Sequence, residues 1–182
     1  MEPVRLAAPI LEDLSEEIDQ TVALAMWGNH GATCVRWVET GGPVTVTLRT
    51  GVVLPLTTSA TGLAFSAFYH SNDLQRQLDS ELLTIAKTKG TPLSSLAKQL
   101  ETQLHEIRGH GISRANGSLI PGINGFSAPV FDHSGNMVAA ITSLGTIGHF
   151  DMAWDSQLAV SIKAAVAAPS IRLGFTHATK AP

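Results

Sequence analysis

Hydrophobic positions along this chain alternate between two spacings. From Ala7 to Ile18, the residues Ile10, Leu11, Leu14 and Ile18 recur at helical spacing, with acids on the other side. The chain then changes to strand-like runs, Thr21 to Trp27, Thr33 to Glu39 and Val44 to Gly51. Gly28-Asn29-His30-Gly31 and Thr40-Gly41-Gly42-Pro43 divide them, and both are turn chemistry, so an antiparallel meander is expected. Trp27, Trp37, Val46 and Leu48 fall at strand spacing, where they could line a cavity or fill a core, the default role of such residues.

The middle of the chain reads as helices. Thr57-Thr58-Ser59 supplies N-cap chemistry ahead of a helix from about Ala60 to Phe68. A second helix is expected from Asn72 to Ala86, with Leu74, Leu78, Leu82 and Ile85 inward, and Lys87 to Thr91 as a loop. Pro92 suits the first turn of a third helix reaching about Arg108, with Gly109 and Gly111 ending it. A short strand and turn from Gly111 to Ser118 follow. The last helix begins near Asp155, turns Leu158, Ile162, Ala165 and Val166 inward, and should kink or stop at Pro169. Thr176 to Pro182 has the look of a disordered tail.

Between these lies Gly122 to Gly145, GINGFSAPVFDHSGNMVAAITSLG, which organises the rest. Two apolar runs, Phe126 to Phe131 and Met137 to Leu144, flank Asp132, Ser134 and Gly135, a hairpin signal. Both runs are apolar on both faces, which suits strands covered from two sides. A loop of His133 to Asn136 would pair Asp132 with Met137 and Gly125 with Leu144, turning Ile123, Ser127 and Thr142 to one side. A loop one residue shorter or longer would break that relation.

The same stretch resembles the C-terminal effector-binding domain of the IclR family of bacterial transcriptional regulators. So do Leu54 to Phe68, LPLTTSATGLAFSAF, and Leu104 to Gly111, LHEIRGHG, in the family's order and near its spacing. The resemblance covers nearly the whole chain. It implies an α/β fold similar to GAF and PAS sensors: a curved, mostly antiparallel sheet of about six strands with helices packed around it. It implies residues 1–20 as the end of a linker helix, 21–175 as the effector-binding domain and 176–182 as a tail. The family's winged helix-turn-helix does not occur here. An excised domain with an added Met1 is favoured over a naturally headless regulator.

The resemblance also implies a ligand site on the sheet's concave side and self-association as dimers or tetramers. Relatives that bind small oxo acids have a Gly-Ala pair where Ala60-Thr61 stands, an Asp near Ala115 or Asn116, and a Cys at Gly125. On the last strand they carry two serines, at Thr142 and Leu144. Apolar wall positions match Val46, Leu54 and Ile123. A helix start has unpaired N–H groups and a partial positive charge, so Ala60 and Thr61 suit a carboxylate, with Gly62 leaving the approach uncrowded. Gly125 for Cys opens volume and Leu144 for Ser removes a polar partner, which favours an aromatic or branched acid over glyoxylate or pyruvate.

Composition narrows the remaining classes. The 182 residues carry a net charge of -3, with no Lys/Arg cluster, so duplex DNA is not expected to bind except through a further domain. The single cysteine, Cys34, excludes an internal disulfide and reads as a buried thiol. No cofactor is expected. In H-E-x-x-x-H, His105 and His110 fall on different faces of a helix and Gly109 would interrupt it, so no metal motif is expected from them and Glu106. No signal peptide or membrane-length apolar run appears, and a cytoplasmic protein is expected. Neither a G-x-S-x-G elbow nor a Walker A loop nor a dinucleotide fingerprint is present. The alternative to a sensing domain is a metabolite-processing enzyme on a GAF-like fold.

Overall fold

A computed structural model describes residues 2–41 and 49–172. Helix α1 (Glu2–Ile18) leads into strands β1 (Thr21–Gly28) and β2 (Gly31–Val38). Helices α2 (Ala60–Phe68), α3 (Asn72–Lys89) and α4 (Leu93–His110) follow, then β3 (Ser113–Asn116), β4 (Ile123–Phe131), β5 (Met137–Thr146) and α5 (Gln157–Arg172). The strands form one antiparallel sheet in the order β2-β1-β5-β4-β3.

The sheet is covered on both faces, as its two-sided apolar runs require. On one face α1 and α5 bury Leu11, Leu14 and Ile162 against Val22, Leu24, Phe126, Ala128 and Ile141. On the other, α2, α3 and α4 bury Leu63, Phe65, Leu78 and Leu104 against Ala25, Met137 and Ala140. Trp27 joins this second core, tilted against Phe65 and stacked on Tyr69. Small residues on the strands let α2 lie close, so its own face is almost entirely buried.

The register of the central hairpin decides what meets the helices. Gly125 pairs with Leu144 and Ser127 with Thr142, as expected, but the turn is built differently. Phe131 pairs with Met137, and a bulge beside it restores the expected register from Val130–Ala139 onward. The turn is therefore one residue longer than expected, and the bulge cancels the slip. Asp132 holds it: its Oδ1 accepts from the amides of Ser134 and Asn136 at 2.8 and 2.9 Å.

Five strands are present among the described residues rather than about six. Most of the expected strand Val44–Gly51 lies outside them. The chain beyond it touches the outer edge of β2 through Cys34 N to Val52 O (3.0 Å) and Leu54 N to Ala32 O (2.8 Å), with one bridge, Thr33–Val53. Pro55, which has no N–H to donate, ends that contact at once. α3 runs to Lys89, past the expected loop start, and stops at Gly90. α4 passes through Gly109 and ends at Gly111. α5 extends beyond Pro169 to Arg172, so no stop occurs there. Cys34 is buried on β2, and burial pushes its thiol pKa up.

Candidate effector-binding site

The start of α2 lies over one face of β3, β4 and β5, and a small enclosed cavity sits between them. Its wall is Leu54, Ser59, Ala60, Thr61, Ala115, Leu119, Ile120, Ile123, Gly125, Thr142 and Leu144. Alternation along the strands explains the set: Gly125 is paired with both Leu144 and Ala115, so these residues point to the same side. Seven of the nine residues expected from the sequence to form the site are in this wall: Leu54, Ala60, Thr61, Ile123, Gly125, Thr142 and Leu144. Asn116 is not among them. It follows Ala115 on β3, so it faces the other way, exposed in a groove with Glu106, Arg114 and Trp154. Val46 lies outside the described residues.

One end of the cavity is polar. Ser59 caps α2, its Oγ accepting from Gly62 N at 2.8 Å and donating to the Pro55 carbonyl at 2.7 Å. The amides of Ala60 and Thr61 come just before and, as at any helix start, have no acceptor within the helix. Thr61 Oγ1 lies 2.7 Å from Thr142 Oγ1, which donates to Ser127 Oγ at 2.8 Å. All three hydroxyls are buried. Ser113 Oγ, also buried, donates to the carbonyls of Ala60 and Ser127, tying β3 to the helix start.

The opposite end is apolar and closed. The volume is about 20 Å³, room for roughly one water. Leu144 closes it: its Cδ2 lies 2.7 Å from where a Cβ on Gly125 would sit. The volume released by Gly125 is therefore filled from within the protein. Leu119 and Ile120 form the outer wall in a loop between Gly117 and Gly122, both at positive φ (65° and 84°). A side chain at either glycine would be strained. Ser118 Oγ ties this loop to the Thr58 carbonyl at 2.7 Å.

Two supports were not visible in the sequence. Gly62 does not keep a ligand path clear; a Cβ there would lie 1.9 Å from the Pro55 carbonyl oxygen. The glycine lets the preceding loop cross over the helix. That loop is gripped from α3, where the Glu81 carboxylate accepts from Leu56 N (2.9 Å), Thr57 N (2.8 Å) and the Thr57 hydroxyl. Elsewhere, Glu106 and His110 both serve Trp154: Glu106 Oε1 accepts its indole N–H at 3.2 Å and His110 stacks on it at 4.2 Å. Among the described residues no group of three His, Cys, Asp or Glu could hold a metal ion.

Comparison with known proteins places this arrangement. The family model described as "Bacterial transcriptional regulator IclR C-terminal" matches residues 1–171. The chain belongs to the IclR family, as its C-terminal domain. The HTH-type transcriptional regulator KipR of Bacillus subtilis is 24% identical over 175 residues, covering 94% of this chain and 68% of KipR. The crystal structure of Pseudomonas aeruginosa HmgR superposes with a TM-score of 0.83 at 32% identity, over 97% of this chain and 69% of HmgR. The Thermotoga maritima IclR structure gives 0.79 at 23% identity, over 96% of this chain and 70% of that one. This is the regulatory domain of a transcriptional regulator and not an enzyme. No helix of the described residues is long and apolar enough to cross a membrane.

Proposed function

We propose that this IclR-type domain senses a small organic acid and transmits its binding to a DNA-binding domain outside this chain. The supporting observation is the cavity under the start of α2, polar at one end and lined elsewhere by Leu54, Ile123, Leu144, Leu119 and Ile120. In this reading the amides of Ala60 and Thr61 receive the carboxylate, and the apolar wall takes an aromatic or branched body. Val46 belongs to the proposed site by family position, whereas Asn116 faces an outer groove and is left out of it. Residues 1–20 serve as the end of a linker, 21–175 as the sensor and 176–182 as a tail. The working state is a cytoplasmic homodimer or homotetramer, which needs no cofactor.

Because the cavity holds about one water, effector entry requires Leu144 or the Leu119–Ile120 wall to move. Leu144, Leu119 and Ile120 are all only half-buried. Thermal-shift screening of carboxylic acids tests the proposal. A bound effector at 100 times its dissociation constant adds about 2.7 kcal/mol of stability. It should be recovered chemically unchanged, and the shift should shrink in Leu144→Trp, which fills the cavity. A panel of aromatic, branched and short oxo acids that leaves the melting temperature unmoved would count against it.

A further inference from the structure

We infer that the effector carries a hydrogen-bond donor on the carbon next to its carboxylate, as a 2-hydroxy acid does. This rests on the effector-binding reading above and follows from counting hydroxyl protons around the cavity. Thr142 Oγ1 donates to Ser127 Oγ at 2.8 Å. A threonine hydroxyl has one proton, so in the 2.7 Å contact between Thr61 and Thr142 the donor must be Thr61. Thr61 Oγ1 then has no proton left and can offer a ligand only lone pairs.

The neighbouring hydroxyls are committed in the same way. The Ser59 proton is held by the Pro55 carbonyl and the Ser113 proton by the carbonyls of Ala60 and Ser127. Ser127 is fully buried and is not part of the cavity wall. The polar end therefore offers a ligand N–H donors from Ala60 and Thr61 and, from its hydroxyls, lone pairs only, on Thr61 Oγ1, Thr142 Oγ1 and Ser59 Oγ. A carboxylate satisfies the amides. Against Thr61 Oγ1, a carbonyl oxygen would set two acceptors face to face, whereas a hydroxyl completes the bond. Of these acceptors Thr61 Oγ1 is separated from its own amide by only Cα and Cβ, so a donor that meets it stands beside the carboxylate.

Calorimetry on this chain with matched acids tests the inference: lactate, pyruvate and propionate, then mandelate, phenylglyoxylate and phenylacetate. In at least one set the 2-hydroxy member should bind about tenfold tighter than its oxo and deoxy partners, the factor for roughly one hydrogen bond. Thr61→Val should bring the three members of that set within about twofold of one another. Thr142→Val should free the Thr61 proton to point into the cavity and move the preference towards the oxo member. Thermal unfolding without ligand checks that each variant folds; should Thr142→Val not fold, the wild-type sets and Thr61→Val decide. Oxo or deoxy acids binding as tightly as the hydroxy acid, or a hydroxy preference surviving in Thr61→Val, overturn this inference alone. Binding by none of the six overturns the carboxylate site and the inference together.

Discussion

The packing of Leu144 over Gly125 makes a measurable prediction about stability. An alanine at 125 would put its Cβ 2.7 Å from Leu144 Cδ2, 3.3 Å from the Ser143 carbonyl oxygen and 3.4 Å from the Ala60 Cβ. The first contact is impossible, but it involves the tip of a flexible side chain. Leu144 must leave its rotamer, at about 0.5–1.5 kcal/mol, with some further cost from overpacking. Replacing a strand glycine returns about 0.5–1 kcal/mol of backbone entropy. Gly125→Ala should therefore destabilise the protein by about 1 kcal/mol on balance.

In a Leu144→Ala background the offending Cδ2 is gone. The contacts with Ser143 and Ala60 are the same in both backgrounds and cancel, so Gly125→Ala should there be neutral or stabilising by about 0.5 kcal/mol. The coupling between the two positions is then about 1–1.5 kcal/mol, well outside the error of additivity. Urea unfolding of the four proteins measures it, provided their m-values agree. Effects that add to within about 0.4 kcal/mol would refute the view that Leu144 occupies the space left by Gly125.

Four further outcomes follow. Gly62→Ala should cost at least about 3 kcal/mol in urea unfolding or prevent folding, because the clash is with the backbone of Pro55 and Leu56. Gly109→Ala, in an open helix position, should instead stabilise by about 0.8 kcal/mol. Glu81→Gln removes one of two oxygens that hold Leu56 N, Thr57 N and the Thr57 hydroxyl, and should cost about 1–3 kcal/mol. An unchanged urea midpoint would show that the loop does not depend on it. The Asp132 carboxyl is held below its ordinary value of 3.8, chiefly by the Asn136 N–H and further by the Ser134 N–H. A depressed carboxyl pKa gives stability present above the ordinary value and lost as the pH falls through the lower folded one. The Ser134 and Asn136 amide shifts should therefore move together below pH 3.8, and a transition nearer neutrality would refute the assignment.

The sequence was most legible where one spacing controls one face. Leu11 and Leu14, Leu74 and Leu78, and Ile162 and Val166 are all buried as their helical spacing demands. The hairpin register was legible for a less direct reason. The turn has an extra residue, but the bulge after it adds one on the other strand, so Gly125 still meets Leu144. β3 was harder: in a strand of four residues nothing in the pattern says which of Ala115 and Asn116 faces inward. Pairing with Gly125 selects Ala115. Leu119 and Ile120 were not visible as site residues because an apolar pair in a Gly- and Pro-bounded loop has no period. Nor were Glu81 and Gly62 readable, since their partners are backbone groups brought near only by the fold.

The position of the cavity also bears on how binding there would reach the rest of the chain. The two β5 residues in its wall, Thr142 and Leu144, are paired across the sheet with Ala23 and Thr21 of β1. β1 begins directly after α1, and the junction is fixed: Ser15 Oγ donates to the Gln20 carbonyl at 2.8 Å, and Gln20 Nε2 donates to the His149 carbonyl at 3.0 Å. One layer further, Leu11 and Leu14 of α1 are fully seated against the opposite face of the same sheet. In the proposed reading, an effector that pushes Leu144 aside would act on the strand hydrogen-bonded to the one that α1 feeds. Side-chain repacking can absorb that push at the half-buried Leu144 tip, but not behind it, where Ala140 and Ile141 have no exposed surface. A cavity of about 20 Å³ leaves no slack on the α2 side either, because Ser59, Gly62 and Glu81 hold the helix start. The less constrained element is the outer loop between Gly117 and Gly122, whereas the hydrogen-bonded junction with α1 passes a displacement of the sheet on. An effector that displaces only the loop would bind without signalling, whereas one large enough to move Leu144 would load the α1 junction.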